Sequence, residues 1–454
     1  MTLVIVAILA IGLLLIATEN WTNINKAASA MFAGTVGWVL YVSYGTDFVT
    51  AMHLDEYAVF LKGAGHSSVA VKEFIVGNIF LKYVGKAAEI VLFLLATMTI
   101  VEILHNNGCF DFVLKLLRTR DSQRLLWTLS ASTFILSANL DNLTTTVMML
   151  SIMRGVVENR RQRMLYGSAV VVAANCGGAF TVIGDPAGLL LWNNGAVTAT
   201  SFSTKLFIPC LIACALPTYL IGRMLPERTD TAWVAMPYRG DDTNLNVWQR
   251  LAMLFVGIGG LWFIPTFHNI TRLSPFVGAL CVLSVLWIVN EVFNRKLISS
   301  DQNTRHGMPL ILQYGTIQMM LFVMGIMLSI GVLTETGALA GVLGAVEGNP
   351  GGTWIMGGVA TALSTVLDNF ATAAFMAGLH PVDTATSTVF SQNGDYWAVI
   401  AYASAIGGNI FCFSSMGGIA LMKAERVKAG WYFKNVGWKA MAGALAGLAV
   451  LYAA

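Results

Sequence analysis

Polar side chains interrupt the longest apolar stretch of the chain, at Ser137–Thr146 with the sequence SANLDNLTTT. The surrounding run, Leu125–Met153, is otherwise largely apolar. Placing a carboxylate at the centre of a bilayer costs at least about 2.5–3.5 kcal/mol. A carboxylate in such a segment therefore favours a functional role over a purely structural one. Carboxylate, amide and hydroxyl oxygens are suited to a hard cation such as Na⁺. Four residues offer them here: Asp141, Asn142, Thr144 and Thr145. The alternative is a purely structural role at the start of a helix, in which these oxygens only accept hydrogen bonds from backbone amides and so cap the helix.

A second copy of this motif lies half a chain later. The sequence STVLDNFAT at Ser364–Thr372 matches SANLDNLTT with Ser, Leu, Asp, Asn and Thr at the same offsets, shifted by 227 residues. It adds three candidate ligands: Asp368, Asn369 and Thr372. The repetition predicts two related polar sites.

Each copy is followed by a glycine-rich segment that predicts a broken helix. The first, NCGGAFTVIGDPAG, carries Asn175 and Asp185, and Pro186 at the break lacks an amide donor and clashes with the preceding turn. The second, AIGGNIFCFSSMGG, lies 230 residues later and carries Asn409, Ser414 and Ser415. We therefore expect one cluster with two carboxylates and another with one. The predicted Na⁺ ligands among the acids are Asp141, Asp185 and Asp368.

Two further acids lie in the apolar segment EIVLFLLATMTIVE, at Glu89 and Glu102. Their counterparts in the second half are Gln318 and Gly331, so the duplication does not require a carboxylate at either position. Glu89 and Glu102 are candidates for a proton relay, and Glu102 is equally well explained as a side chain reaching the membrane surface.

The composition places these motifs in a membrane. The chain of 454 residues is 56% hydrophobic and only 11% charged, against about 25% charged residues in a soluble domain. Several apolar runs approach the roughly 20 residues that cross a bilayer. We expect a polytopic, all-α integral membrane protein whose partner is the lipid bilayer, with no nucleic acid and no protein substrate. The six cysteines show no disulfide or metal spacing, and no cofactor is expected.

The repeated segments and the placement of basic residues predict two halves of opposite orientation, each with about five transmembrane helices, one re-entrant hairpin and one broken helix. Basic residues mark the cytoplasmic side, and they flank Leu125–Met153 at both ends. That segment should therefore turn back within the membrane. The predicted divisions are a first repeat at 1–223 (hairpin 125–153, broken helix 164–193), a cytoplasmic linker at 224–248, and a second repeat at 249–454 (hairpin 354–379, broken helix 397–421).

Four segments together resemble the NhaD-type sodium/proton antiporters of the ion transporter superfamily: LSANLDNLTTTVMM, AANCGGAFTVIGD, FLLATMTIVEIL and LSTVLDNFATAAFM. The resemblance implies a paired-hairpin fold, a homodimer, and exchange of Na⁺ or Li⁺ for H⁺ in the bacterial inner membrane. Carried over by position, the core transport residues would be Asp141, Thr145, Asp185, Asp368 and Asn369. The chain departs from the family after Asp185, where PAGLLLW replaces a threonine-rich run.

This resemblance predicts a secondary active transporter in which Na⁺ and H⁺ compete for midplane carboxylates during alternating access, and not an enzyme. One alternative is a small-anion transporter of the same superfamily, which would not be expected to carry three midplane acids. A remote alternative is an intramembrane aspartyl protease, in which two Asp share a proton. That class has a GxGD motif, and here Val182 precedes Gly184-Asp185 where the first glycine should be.

Overall fold

The computed structural model describes residues 1–22, 24–64, 68–231, 245–294, 310–338, 352–383 and 389–453. Within these ranges the protein is helical, and three isolated β-bridges are its only extended pairings. The helices of the first half are α1 (Thr2–Ala17), α2 (Glu19–Thr22), α3 (Lys26–Ser43), α4 (Gly45–Met52), α5 (Leu54–Ala64), α6 (Ser68–Phe74), α7 (Leu81–Asn106), α8 (Asp111–Leu116), α9 (Ser122–Ser137), α10 (Asn142–Val156), α11 (Arg160–Ala179), α12 (Pro186–Asn193) and α13 (Ala199–Gly222).

Helices also make up the second half. They are α14 (Val247–Leu254), α15 (Gly260–Thr271), α16 (Pro275–Phe293), α17 (Leu310–Glu335), α18 (Gly352–Ser364), α19 (Asn369–Leu379), α20 (Asp395–Gly407), α21 (Met416–Glu425), α22 (Ala429–Tyr432) and α23 (Trp438–Ala453). Short π-helical turns join three pairs of them, at Ile75–Phe80, Phe255–Gly259 and Phe433–Gly437. Each pair therefore continues as one longer helix.

Six helical segments in the described ranges are long and apolar enough to cross a membrane. They are Val69–Asn106, Ala199–Gly222, Val247–Thr271, Pro275–Phe293, Thr316–Glu335 and Ala429–Ala453. A seventh span results if α3 and α4, which meet at a bend of 85°, are counted as one. Large apolar side chains such as Trp248 and Phe255 are 82% and 79% exposed, as expected of a surface that contacts lipid. The prediction of an all-α integral membrane protein is confirmed.

Helices α9 and α10 form a hairpin whose two ends lie side by side. Asp121 at its start pairs with Arg228, and Val157 at its end pairs with Thr231, three residues further along the same segment. Because both ends contact one short segment, the chain must reverse direction between them. The reversal falls at residues 138–141, between the end of α9 and the start of α10. Residues 232–244 of the predicted linker lie outside the described ranges.

Equivalent positions of the two sequence copies make equivalent contacts. The Ser137 hydroxyl donates to the Ala174 carbonyl at 2.6 Å, joining the end of α9 to α11. The Ser364 hydroxyl likewise donates to the Ser404 carbonyl, joining the end of α18 to α20. In both halves the first arm of a hairpin is thus held against a helix that leads into a break.

Two glycines at equivalent positions allow these helices to approach closely. A Cβ on Gly177 would lie 2.3 Å from the carbonyl oxygen of Phe134, and one on Gly407 would lie 2.8 Å from that of Thr361. Real Cβ atoms do not approach backbone oxygens that closely, so any larger residue would push the helices apart. Close packing therefore accounts for Gly177 and Gly407.

Helix α3 packs along α17 through another pair of glycines. A Cβ on Gly34 would lie 2.9 Å from the Gly325 carbonyl oxygen, and one on Gly325 would lie 2.6 Å from backbone atoms of Ala30 and Met31. The Trp38 indole N–H donates to the Leu328 carbonyl at 3.0 Å further along the same contact. This packing fixes the first turn of α3 relative to the middle of α17.

Candidate functional site

The tip of the first hairpin is organised by Asp141. Its Oδ1 accepts the Leu143 amide at 2.9 Å, and its Oδ2 accepts both the amide (3.0 Å) and the hydroxyl of Thr144. The side chain therefore caps α10, whose first residue is the buried Asn142. Asp141 is only 2% exposed. The amides and the positive end of the helix dipole stabilise an ionised carboxylate at this buried position.

The tip of the second hairpin is organised in the same way by Asp368. Its Oδ1 accepts the Phe370 amide at 3.0 Å, capping α19. Its Oδ2 differs from that of Asp141, because it lies 2.6 Å from the Nζ of Lys26. Lys26 was not among the candidate residues from the sequence. The available signal was that Lys26 is the only Lys or Arg before Lys62 and immediately precedes an apolar run.

The broken helices supply the other side of the site. After α11 ends at Ala179, Asp185 caps α12 by accepting the Ala187 amide at 3.3 Å, and Pro186 takes the first helical position. In the second half α20 ends at Gly407 and α21 begins at Met416, where Ser415 accepts the Gly418 amide at 3.1 Å. Pro at the first position of a helix costs no hydrogen bond, so it marks the restart of the helix.

Polar contacts connect the two halves. The Asn369 side-chain amide donates to Asp185 Oδ2 at 2.9 Å, and the Asn175 side-chain amide donates to Asn409 Oδ1 at 2.8 Å. The Ser414 hydroxyl stays within its own loop, donating to the Phe411 carbonyl at 2.8 Å. Asp185 was grouped with Asp141 from the sequence, yet its direct side-chain partner belongs to the other hairpin.

This crossed arrangement follows from helix packing. Helix α12 packs against α19 and α10 packs against α21, so each hairpin contacts the second part of the other half's broken helix. Gly417 makes one of these contacts possible, since a Cβ there would lie 2.8 Å from the Thr146 hydroxyl. Asp185 also interacts electrostatically with both Asp368 and Asp141. The two predicted clusters therefore form one continuous polar region at the helix breaks.

Three buried oxygens in this region have no hydrogen-bond partner within the described residues: Thr145 Oγ1, Thr372 Oγ1 and Asn175 Oδ1. Thr145 and Thr372 occupy equivalent positions in the two motif copies, and both are 0% exposed. Buried polar atoms nearly always have a hydrogen-bond partner in native proteins. A buried polar atom without one therefore indicates a bound ion or water. The neighbouring Thr146 hydroxyl, by contrast, donates to the Asn142 carbonyl at 2.7 Å.

Hard oxygens of several kinds are thus available to a cation such as Na⁺. Among the described residues, no three His, Cys, Asp or Glu side chains come close enough to hold a metal ion together. The assignment of Asp141, Asp185 and Asp368 as Na⁺ ligands, two in the first cluster and one in the second, stays a prediction. A Na⁺ ion in this region would need the hydroxyl, amide and carbonyl oxygens near a single carboxylate as well.

The two proposed relay acids lie on α7. Glu89 Oε2 accepts the side-chain amide of Asn193 at 2.7 Å, which connects α7 to the end of α12. Glu102 lies further along α7 and is half-buried. Glu89 therefore touches the element that Asp185 caps, and it remains a candidate for a proton path.

Comparisons with known proteins identify the family to which the chain belongs. A family model described as citrate transporter (CitMHS) matches residues 1–407. Sodium/proton antiporter 2 of Arabidopsis thaliana is 32% identical over 369 residues, covering 80% of this chain and 84% of that protein. The Na(+)/H(+) antiporter NhaD of Vibrio parahaemolyticus is 26% identical over 366 residues, covering 75% and 83%.

Sodium/proton antiporter 1 of Arabidopsis thaliana is also 32% identical, over 375 residues and 81% of this chain. The chain spans 62% of that relative's length. These relatives bear out the resemblance drawn from the hairpin and broken-helix motifs. The families concerned are transporters, which excludes the protease alternative. This chain is an integral membrane transporter of the citrate transporter family, within the ion transporter superfamily.

Proposed function

We propose that the protein exchanges Na⁺ or Li⁺ for H⁺ across the membrane. The observation that carries this proposal is a set of buried oxygens, of Thr145, Asn175 and Thr372, that have no hydrogen-bond partner among the described residues and lie near helix-capping carboxylates. A desolvated cation needs several such oxygens to replace its hydration shell. The names of the relatives, sodium/proton antiporters from a plant and from bacteria, support the same exchange.

The description of the family as citrate transporters favours the alternative, a small anion as substrate. Helix N-termini are good anion sites when their amides are free. Four helices begin at the hairpin tips and helix breaks: α10, α12, α19 and α21. Three of them are capped by the chain's own carboxylates, Asp141, Asp185 and Asp368. A citrate ion would meet these negative charges, and the buried ammonium of Lys26 is already paired. The charge of the site favours a cation.

Exchange requires that sodium and protons be bound alternately, and we assign this role to Asp141 and Asp185. A bare carboxylate is too costly to carry through a membrane barrier. A carboxylate that holds either a proton or a Na⁺ ion is close to neutral, so the loaded forms can move and the empty form cannot. Competition for the same acid then couples the two fluxes, with access alternating as the hairpin-bearing elements move between two orientations.

The two halves are proposed to have opposite orientation in the membrane, with the first hairpin re-entrant from the cytoplasmic side. The contact of both hairpin ends with residues 228–231 supports this topology. Cysteines placed at Thr119 and Asn159 should both react with a membrane-impermeant thiol reagent only from the cytoplasm. Reaction from opposite sides would make Leu125–Met153 a simple span. Assembly as a homodimer in a bacterial inner membrane is inferred from the superfamily.

The exchange is tested in everted membrane vesicles from a host that lacks its own sodium/proton antiporters. A respiration-driven pH gradient is followed with a quenched fluorescent amine, and Na⁺, Li⁺ and K⁺ are added in turn. Na⁺ or Li⁺ should restore fluorescence, while vesicles without the protein should not respond. If no cation has an effect and labelled citrate is taken up instead, the anion alternative replaces this proposal.

A further inference from the structure

A buried lysine at the start of α3 reaches the tip of the second hairpin. Lys26 and Asp368 are 342 residues apart in sequence, their charged atoms are 2.6 Å apart, and their side chains are 6% and 4% exposed. The ammonium also lies 4.8 Å from the ring centroid of Phe322 on α17. Lys26 is the first residue of α3, a helix capped by Asn25. The packing of α3 along α17 therefore holds a positive charge at this hairpin tip.

The two hairpin tips differ in the groups that bond their carboxylates. Asp141 and Asp368 are equivalent in the sequence repeat, and each caps the second arm of its hairpin. Within the described part of the chain, Asp141 is bonded by neutral donors only, the amides and hydroxyl of its own helix. Asp368 accepts one amide and one ammonium. Within the described residues, Asp368 is the only one of the three predicted acids that has an ion pair.

The buried ion pair leaves little driving force for a second cation at Asp368. Leaving a buried ammonium without its counter-charge strongly destabilises a folded protein. A sodium ion placed on Asp368 would either displace Lys26 into an apolar environment or share one carboxylate with it. Among the residues that the structure describes, Asp141 has no ammonium partner, and the Thr145 hydroxyl, which has no hydrogen-bond partner there either, lies one turn into the helix that Asp141 caps.

We propose that Lys26 is a tethered cation that occupies the second of the two related sites, so that the protein takes up sodium only at the hairpin tip of Asp141. This inference rests on the proposed sodium/proton exchange and adds to it a number of ions: one Na⁺ per chain. Lys26 is then a positioning residue, which fixes the second hairpin and sets the count of bound sodium ions. Asp368 serves as its counter-charge.

The test is a double variant, Lys26→Met with Asp368→Asn, in which both partners of the ion pair are replaced by uncharged side chains. Replacing both partners of a buried ion pair by uncharged groups of similar size is often close to neutral for stability, while removing one partner is not. The double variant should keep sodium-driven proton movement within about threefold of wild type. Asp368→Asn alone, which leaves the ammonium unpaired, should lose most of its activity or fail to accumulate. Lys205→Met with Asp395→Asn, an exposed ion pair, is the matched control and should behave as wild type.

Sodium binding gives a readout that a purely structural ion pair would not change. Purified wild-type protein should bind one ²²Na⁺ per chain, and Lys26→Met, which frees Asp368, should bind two. Two ions bound by wild type, an unchanged count in Lys26→Met, or a double variant as inactive as Asp141→Asn would each overturn the inference. If wild-type vesicles give no sodium response, the proposed exchange itself fails; if they respond and only the variants disagree, this inference alone fails.

Discussion

Asp141→Asn is expected to abolish sodium-driven proton movement while the protein accumulates at a near-normal level. Asparagine caps a helix about as well as aspartate, so the start of α10 should be preserved. The amide cannot take up a proton and carries no charge to neutralise Na⁺. We expect the initial rate in everted vesicles to fall at least about 100-fold, which corresponds to roughly 2.7 kcal/mol of lost interaction. Rates are normalised to the amount of protein by immunoblot.

Asp121→Asn is the matched control, because Asp121 also caps a helix. Its Oδ1 accepts the Arg124 amide at 2.8 Å at the exposed start of α9, away from the helix breaks. The control should keep wild-type rates. Wild-type exchange in the Asp141→Asn variant would remove the basis of the assignment.

A smaller effect is expected of Thr145→Val, which removes the hydroxyl that has no partner among the described residues. The apparent Na⁺ affinity should fall about fivefold, or about 1 kcal/mol, without loss of thermal stability.

The helix-capping explanation of the hairpin motif is confirmed by the geometry, and the ion-binding explanation stays a prediction. Asp141, Asp185 and Asp368 each accept backbone amides at the start of a helix, as capping requires. Capping alone needs no carboxylate, since serine fills the same role at Ser415. The three acids therefore place an ionisable group at positions where a neutral residue would suffice.

The positions of the hairpin tips were predictable because the information for them is local. A polar motif followed by threonines, repeated half a chain later, is enough to locate Asp141 and Asp368 at helix starts. Pro186 after Asp185 locates the break in the first broken helix for the same reason. Each of these features depends only on backbone hydrogen bonding within a few residues.

The contacts between the halves were not predictable from local patterns. The bonds from Asn369 to Asp185 and from Asn175 to Asn409 exist only because α12 packs on α19 and α11 packs on α20. A single lysine before an apolar helix is typical of a charge at the membrane surface, and nothing near Lys26 in sequence indicates a partner 342 residues away. One sequence without covarying relatives does not contain that pairing in readable form.

The largest expected effect of pH is on the apparent affinity for sodium. If one proton and one Na⁺ compete for the same site, each tenfold rise in proton concentration should raise the half-saturating Na⁺ concentration about tenfold, below the pH at which the empty site is half protonated. Above that pH the affinity should become constant, because the site is already deprotonated. The charged groups at the helix breaks are the interacting acids Asp141 and Asp185 and the Lys26–Asp368 pair.

The measurement is the half-saturating Na⁺ concentration in everted vesicles at steps of about half a pH unit, with the double variant of Lys26 and Asp368 measured in parallel. A slope of one shows that a single proton competes, and a slope of two shows that both carboxylates are neutralised together, as interacting acids titrate as a unit. Removing the neutral ion pair should leave the slope unchanged, since no competing proton binds there.

A half-saturating Na⁺ concentration that stays constant while pH falls through the active range is incompatible with direct competition. The proton would then need its own path. The residue to test is Glu89, which is bonded to Asn193 at the end of α12. If Glu89→Gln loses proton movement but retains ²²Na⁺ binding, that path lies along α7.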